Sequence, residues 1–146
     1  MGGLIVLVVV LAAATIAALA LRKRQGQFKA SPAVLAADPA VLTAEELGAP
    51  LGARATLVQF STEFCANCPP TRRMLGQVAR EHDGVELVEV DAAARLDLAR
   101  RLNVYATPTI LVLGPDGAIA SRASGQPRKS DVLAAVGGLF GAGAPW

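Results

Sequence analysis

Cysteine and histidine are scarce in this sequence of 146 residues, which contains two cysteines and one histidine. Two cysteines cannot form the several bridges of a disulfide-stapled scaffold. A structural zinc site takes four ligands, and His82 is the only histidine available to add to the two thiols. Such a site would therefore need two chains to share their cysteines. We expect no metal and no cofactor.

The chain also lacks a large excess of charge of either sign, since its formal net charge is +2. Three of its positive charges are adjacent, at Arg22, Lys23 and Arg24, and without them the remainder carries +2 − 3 = −1. A nucleic-acid-binding domain is expected to carry a basic face. The composition gives no support to nucleic-acid binding.

Charge is absent altogether from residues 2–21, in which Thr15 is the one polar side chain. About 20 apolar residues are enough for a helix to cross the hydrocarbon core of a membrane. A cleaved signal peptide would have a basic start, which Met1-Gly2-Gly3 lacks, although Ala18-Leu19-Ala20 resembles a cleavage site. A basic cluster follows at once, so we predict one N-terminal transmembrane helix that is retained.

The basic residues near this segment all follow it, at Arg22, Lys23, Arg24 and Lys29. Basic flanks favour the cytoplasmic side. We therefore predict a single-pass protein of the cell membrane with its C-terminal domain in the cytoplasm. An extracytoplasmic domain is the alternative.

The rest of the chain divides by composition. Residues 22–37 are predicted to be a basic stop followed by a flexible linker, residues 38–140 one folded domain, and residues 141–146 a Gly/Ala-rich tail.

Within the domain, apolar periodicity and turn residues predict alternating strands and helices. A capping box at Thr43 and Glu46 starts a short helix that ends near Gly48. The other predicted elements are strands at 55–61, 85–91, 109–113 and 118–123, helices at 71–82, 92–102 and 128–139, and a turn at 114–117. The order predicts a parallel βαβ unit followed by ββα, in the α/β class with a mixed central sheet and flanking helices.

Cys65 and Cys68 lie two residues apart, between a predicted strand and a predicted helix. A bridge between them would close so short a loop that it adds little stability, which indicates reactivity instead. If Cys65 caps the helix, unpaired backbone N–H groups and the helix dipole favour its thiolate. Cys65 is then the nucleophile. Cys68, about one turn further on, resolves the mixed disulfide and leaves the pair as a redox-active disulfide.

Thr107-Pro108 precedes an apolar strand, and its peptide bond is a candidate for the cis form. Together with Cys65-x-x-Cys68, Val90-Asp91 at a strand end, the Gly-containing hairpin and Gly125, this order resembles the thioredoxin family over about residues 41–139. The resemblance implies a thioredoxin-like fold.

The resemblance also implies a function and a set of site residues. Cys65 matches the exposed nucleophile, Cys68 the buried resolving cysteine, and Pro108 a cis-proline that faces the pair and keeps metals away. Thr107 would offer its backbone to a substrate segment, and Phe64 would form an apolar rim. The implied activity is thiol–disulfide exchange on protein or small-molecule disulfides. A thioredoxin-reductase-like partner would supply electrons in the cytoplasm, or a membrane thiol carrier outside it.

The sequence departs from the family pattern at several positions. Gln59 stands where a buried aspartate is usual, so that the proton of the resolving cysteine must pass to water or to a group such as Glu63. Phe64 replaces a tryptophan and Ala66-Asn67 replaces Gly-Pro, and Pro69-Pro70 would distort or delay the start of the helix. These departures keep open a second function, a binding or tethering module with little turnover.

Overall fold

The computed structural model describes residues 2–24 and 41–140, and within the first range it describes the side chains of positions 3 and 5–20. The predicted linker from residue 25 onwards and the predicted tail at 141–146 lie outside the described residues.

The N-terminal segment forms one helix, α1 (Gly2–Arg24). Its large apolar side chains between Ile5 and Leu19 are exposed to more than half of their area. Among the positions that the structure describes, no helix is both long enough and apolar enough to cross a membrane.

The domain has four strands and four helices among its described residues. In chain order they are α2 (Ala44–Leu47), β1 (Ala55–Ser61), α3 (Cys68–Glu81), β2 (Val85–Asp91), α4 (Leu96–Arg101), β3 (Thr109–Leu113), β4 (Ile119–Ser124) and α5 (Lys129–Gly137). The strands form a sheet in the order β2-β1-β3-β4. Strand β1 is parallel to β2 and antiparallel to β3, and β4 is antiparallel to β3. The predicted mixed sheet and its βαβ and ββα units are confirmed.

Strand β1 lies inside the sheet, and all seven of its residues are buried. Successive side chains point to opposite faces of a strand. Val58 and Phe60 therefore pack in the cluster that includes α2 and α4, whereas Ala55 and Leu57 pack in the cluster that includes α3 and α5. Helices on both faces explain why this strand is apolar along its whole length.

The predicted capping box is confirmed in α2. Glu46 N donates to Thr43 Oγ1 at 3.2 Å, and Thr43 N donates to Glu46 Oε2 at 3.1 Å. Gly48 ends the helix with φ +69.

Helix α4 is shorter than the predicted 92–102. Asp91 accounts for the difference, because its Oδ1 accepts hydrogen bonds from Ala93 N at 2.8 Å and Ala94 N at 3.3 Å. This carboxylate holds the chain in a turn after β2. Leu96, the first residue of α4, is 53% exposed.

Strand β4 begins one residue later than predicted. Ala118 belongs to the preceding turn, since its carbonyl oxygen accepts from Gly114 N at 2.9 Å and its own N donates to Asp116 Oδ1 at 3.2 Å.

Candidate active site

Two successive turns connect β1 to α3. Cys65 N donates to Thr62 O at 3.2 Å, and Cys68 N donates to Cys65 O at 3.1 Å. The second turn brings the two cysteines together, and their sulfur atoms form a disulfide with an S–S distance of 2.06 Å. The predicted pairing is confirmed. Cys65 is half-buried and Cys68 is 3% exposed, so Cys65 is the sulfur that an incoming partner can reach.

Cys65 does not cap the following helix, so the condition set for a dipole-stabilised thiolate is not met, and the delay of the helix start that Pro69-Pro70 predicted is confirmed. Asn67 is the N-cap, and α3 begins at Cys68 instead of the predicted Thr71. Prolines are tolerated in the first turn, where backbone N–H groups have no helical partner, but not further in. With a cap at Cys65, Pro69 and Pro70 would fall beyond that turn and clash with preceding carbonyl groups. The helix therefore begins later than a cap at Cys65 would require. Cys65 lies outside its first turn.

The Thr107–Pro108 peptide bond is cis, as predicted. Hydrogen bonds hold this segment at both ends: Thr109 Oγ1 donates to Ala106 O at 2.7 Å, and Gly125 N donates to Pro108 O at 2.7 Å. The hydroxyl oxygens of Thr62 and Thr107 lie 3.2 Å apart, so the segment also contacts the loop that follows β1.

A groove of about 540 Å³ separates the proline segment from the cysteine loop. It is lined by Asn67, Ala106, Thr107, Pro108, Ser124, Gly125 and Gln126. The structure thus brings Thr107 and Pro108 to the same groove as Asn67, which lies between the two cysteines in the chain. Sequence reasoning missed Ser124 and Gln126 as lining residues, although the glycine between them marked the end of a strand.

Two loop residues before Cys65 are exposed. Phe64 is 93% exposed, and its role as an apolar rim beside Cys65 stays a prediction. Glu63, a suggested proton acceptor, is also exposed.

Gln59 lies on the inner side of the site and is 0% exposed. Its Nε2 donates to the backbone oxygen of Cys68 at 3.0 Å. Its Oε1 is buried and has no hydrogen-bond partner among the described residues. A buried amide therefore contacts the backbone of Cys68 through one of its two polar atoms.

Glu89 is a carboxylate near this amide that sequence reasoning missed. It pairs with Gln59 across β1 and β2, and it accepts hydrogen bonds from Ser61 Oγ at 2.8 Å and Arg72 Nη1 at 2.9 Å. No local pattern marks Glu89, because its contacts with Ser61 and Arg72 depend on how β1, β2 and α3 pack together. Among the described residues, no group of three or more His, Cys, Asp or Glu side chains is placed to hold a metal ion.

Comparison with known proteins identifies relatives of this fold. The family model described as Thioredoxin matches residues 39–137, more than half of the chain. Chloroplastic thioredoxin z is 27% identical, with a TM-score of 0.55, over 62% of this chain and 81% of that chain. Spinach chloroplast thioredoxin f is 19% identical, with a TM-score of 0.54, over 61% and 79%. Oxidised mitochondrial thioredoxin 3 from Saccharomyces cerevisiae is 20% identical, with a TM-score of 0.52, over 58% and 78%. Among curated proteins, none matches the chain.

Proposed function

The chain belongs to the thioredoxin family, and we propose that it is a thiol–disulfide oxidoreductase that uses Cys65 and Cys68. One observation carries the proposal: a half-buried cysteine is bonded to a buried one beside an open groove. A structural bridge would have no need of one accessible sulfur or of a groove beside it.

The reaction consists of two exchanges. The Cys65 thiolate attacks a substrate disulfide, the substrate S–S bond breaks, and the first substrate thiolate leaves and takes up a proton. Cys68 then attacks Sγ of Cys65, which breaks the mixed disulfide and releases the second substrate thiol. The substrate gains two electrons and two protons, and Cys65 and Cys68 form the disulfide.

Reduction of insulin disulfides by the full chain in detergent micelles, with dithiothreitol as the electron source, tests this activity. We expect turnover by the wild type, none by Cys65→Ser, and a covalent insulin adduct on Cys68→Ser. If Cys68→Ser traps no adduct, the two-step mechanism is wrong. If the wild type binds proteins without turnover, the alternative function of a binding or tethering module is favoured.

We further propose that the domain works in the reducing direction in the cytoplasm, on protein or small-molecule disulfides. A thioredoxin-reductase-like partner would return electrons to the pair. If the domain is extracytoplasmic, a membrane thiol carrier would take that role.

We also propose that residues 2–21 anchor the protein in the cell membrane as a single pass. Support comes from 20 consecutive residues without charge, from the helical backbone of Gly2–Arg24 and from the basic cluster at Arg22, Lys23 and Arg24. Alkaline extraction of cell membranes tests the attachment, and reporter enzymes fused to the C-terminus test the orientation. Release of the protein by alkali would contradict the anchor, and a reporter active only outside would favour the extracytoplasmic alternative.

A further inference from the structure

Gln59 has an unused hydrogen-bond acceptor in the oxidised protein. Its Nε2 already donates to Cys68 O at 3.0 Å, so the amide group lies against residue 68. Its Oε1 is buried and accepts no hydrogen bond from any residue in the described part of the chain. Buried carbonyl oxygens without a donor are unfavourable and rare. A state of the protein that supplies a donor at this point gains stability relative to one that does not.

Reduction supplies such a donor. In the oxidised protein, Cys68 Sγ is bonded to Cys65 Sγ and carries no proton. When two electrons break this bond and each sulfur takes up a proton, the Cys68 thiol becomes a hydrogen-bond donor inside the domain. We propose that Gln59 Oε1 accepts a hydrogen bond from the thiol of reduced Cys68, and so holds the resolving cysteine in its protonated form.

This role, which rests on the proposed function, affects the second exchange and not the first. Cys68 must lose its proton as it attacks Sγ of Cys65 and expels the substrate thiolate. The amide of Gln59 does not titrate, so the proton passes to the leaving thiolate or to water. A hydrogen bond to the thiol makes this loss harder. Resolution is slowed relative to attack, and the mixed disulfide with the substrate is long-lived.

The charged groups on the elements next to Cys68 either form hydrogen bonds and ion pairs or are exposed to solvent. Glu89, beside Gln59 on β2, accepts hydrogen bonds from Ser61 and Arg72, and Arg72 follows Cys68 by one turn of α3. The neighbour of Gln59 on β3 is Ile110, which has no titratable group. The remaining groups are Glu63, exposed in the cysteine loop, and the Lys129–Glu81 ion pair between α5 and the end of α3.

A symmetric aromatic disulfide whose thiolate is coloured, dithiobis(nitrobenzoate), separates the two exchanges in a stopped-flow experiment on the reduced full chain in detergent. The first thiolate is released when Cys65 attacks, and the second when Cys68 resolves the mixed disulfide. Cys68→Ser should release only the first. If the wild type releases no first thiolate, or Cys68→Ser releases both, the proposed function fails, whatever the role of Gln59.

Gln59→Met removes the acceptor and keeps the size of the side chain. We expect its second phase to be about three- to tenfold faster at neutral pH, the effect of one hydrogen bond, with the first phase unchanged. The rate of its second phase, measured as a function of pH, should rise at a lower pH than in the wild type. Its equilibrium constant with glutathione should shift by the same factor towards the disulfide, a reduction potential about 15–30 mV lower.

Gln59→Glu provides a second test if the methionine variant does not fold. A titratable group at this position can take the proton of Cys68, so its second phase should be faster and less dependent on pH.

Ser121→Ala is the matched control, because Ser121 Oγ is also buried without a partner among the described residues but lies on β4. The proposal would be overturned if both Gln59 variants had the same second-phase rate and the same reduction potential as the wild type. A normal Gln59→Met together with a Glu89→Gln variant that resolves tenfold more slowly would also overturn it, because the proton would then leave through Glu89.

Discussion

Phe64 is an apolar side chain that contributes almost nothing to the fold, because it is 93% exposed. We propose that its position next to Cys65 makes it a contact for the segment that flanks a substrate disulfide. We predict that Phe64→Ala raises KM for a protein disulfide about three- to tenfold, the effect of losing part of one aromatic contact. The urea midpoint should change little, as expected of an exposed substitution. Initial rates of insulin reduction and urea titrations measure the two quantities.

A small disulfide distinguishes this role from an effect on the nucleophile. The rate at which Cys65 attacks dithiobis(nitrobenzoate) should be the same in Phe64→Ala and in the wild type, because that reagent has no flanking chain. A loss of this rate equal to the loss with insulin would show that Phe64 acts on the sulfur itself. Phe64→Leu should keep most of the affinity for insulin.

At the level of single residues, local patterns predicted the cysteine pair and the cis bond. They did not predict the tertiary contacts of these residues. The pair Cys65 and Cys68 and the cis bond before Pro108 could be predicted because each is encoded within a few residues. The contact between Gln59 and Cys68 could not, since it depends on how α3 lies on β1. Cys65 does not cap the helix, because Pro69 and Pro70 delay the start of α3 to Cys68, an effect that the position of the two prolines predicted.

Helix α2 has a single turn, so its termini determine its stability. Thr43→Ala removes the oxygen that accepts from Glu46 N. We predict a loss of about 1 kcal/mol in the free energy of unfolding, typical of a lost N-cap. Urea titration of the wild type and the variant at neutral pH gives this difference. A change below about 0.3 kcal/mol would contradict a stabilising role for the cap.

The same helix predicts a dependence of stability on pH. The backbone N–H of Thr43, followed by Arg101, lowers the pKa of Glu46 below its ordinary value of 4.5. A carboxyl group with a lower pKa in the folded chain stabilises the fold while it is ionised. This contribution is present above the unfolded pKa and is lost as pH falls through the folded pKa.

Glu46→Gln should therefore be less stable than the wild type at pH 7, and the difference should narrow below about pH 4. Glu45→Gln is a matched control, because Glu45 lies in the same turn and is exposed. Urea midpoints measured from pH 7 to pH 3 test this. A constant difference for Glu46→Gln across that range would show that the stabilisation does not depend on the charge of Glu46. An equal effect of Glu45→Gln would show that it does not depend on the hydrogen bond and ion pair specific to Glu46.

Elements were predictable where one local signal dominated. The bounds of β1 and α2 were predicted correctly. The apolar run of β1 and the capping box of α2 each consist of residues that are close together in the sequence. Helix α4 was predicted too long because Ala-rich periodicity continues through residues 92–95. Asp91 accepts hydrogen bonds from two backbone N–H groups in this segment. Residues 92–95 therefore form a turn instead of the first turn of the helix.

At the scale of the whole molecule, the segment before α2 contacts the turn between β3 and β4. Leu42 N donates to Gly117 O at 2.9 Å, and Val41 forms an isolated bridge with Ala118. The sequence predicts the turn at Gly117 but not its contact with a segment 75 positions earlier, because no local pattern encodes that pairing. This contact joins the start of the chain's folded part to the β3–β4 hairpin, and it buries Leu42 completely.

Gly117→Ala tests how much this closure contributes. Gly117 has φ +80, and an added Cβ would collide with the backbone oxygen of Leu42. Gly48→Ala is the matched control, since Gly48 has φ +69 but nothing lies within 4 Å of its added Cβ. We predict a loss of about 1 kcal/mol for Gly48→Ala from backbone strain alone. Gly117→Ala should lose at least about 2 kcal/mol more, because Leu42 must leave its place in the core. Urea titrations give both values. Equal losses would mean that Leu42 can move away from Gly117 without cost, whereas the predicted difference would show that this contact stabilises the fold.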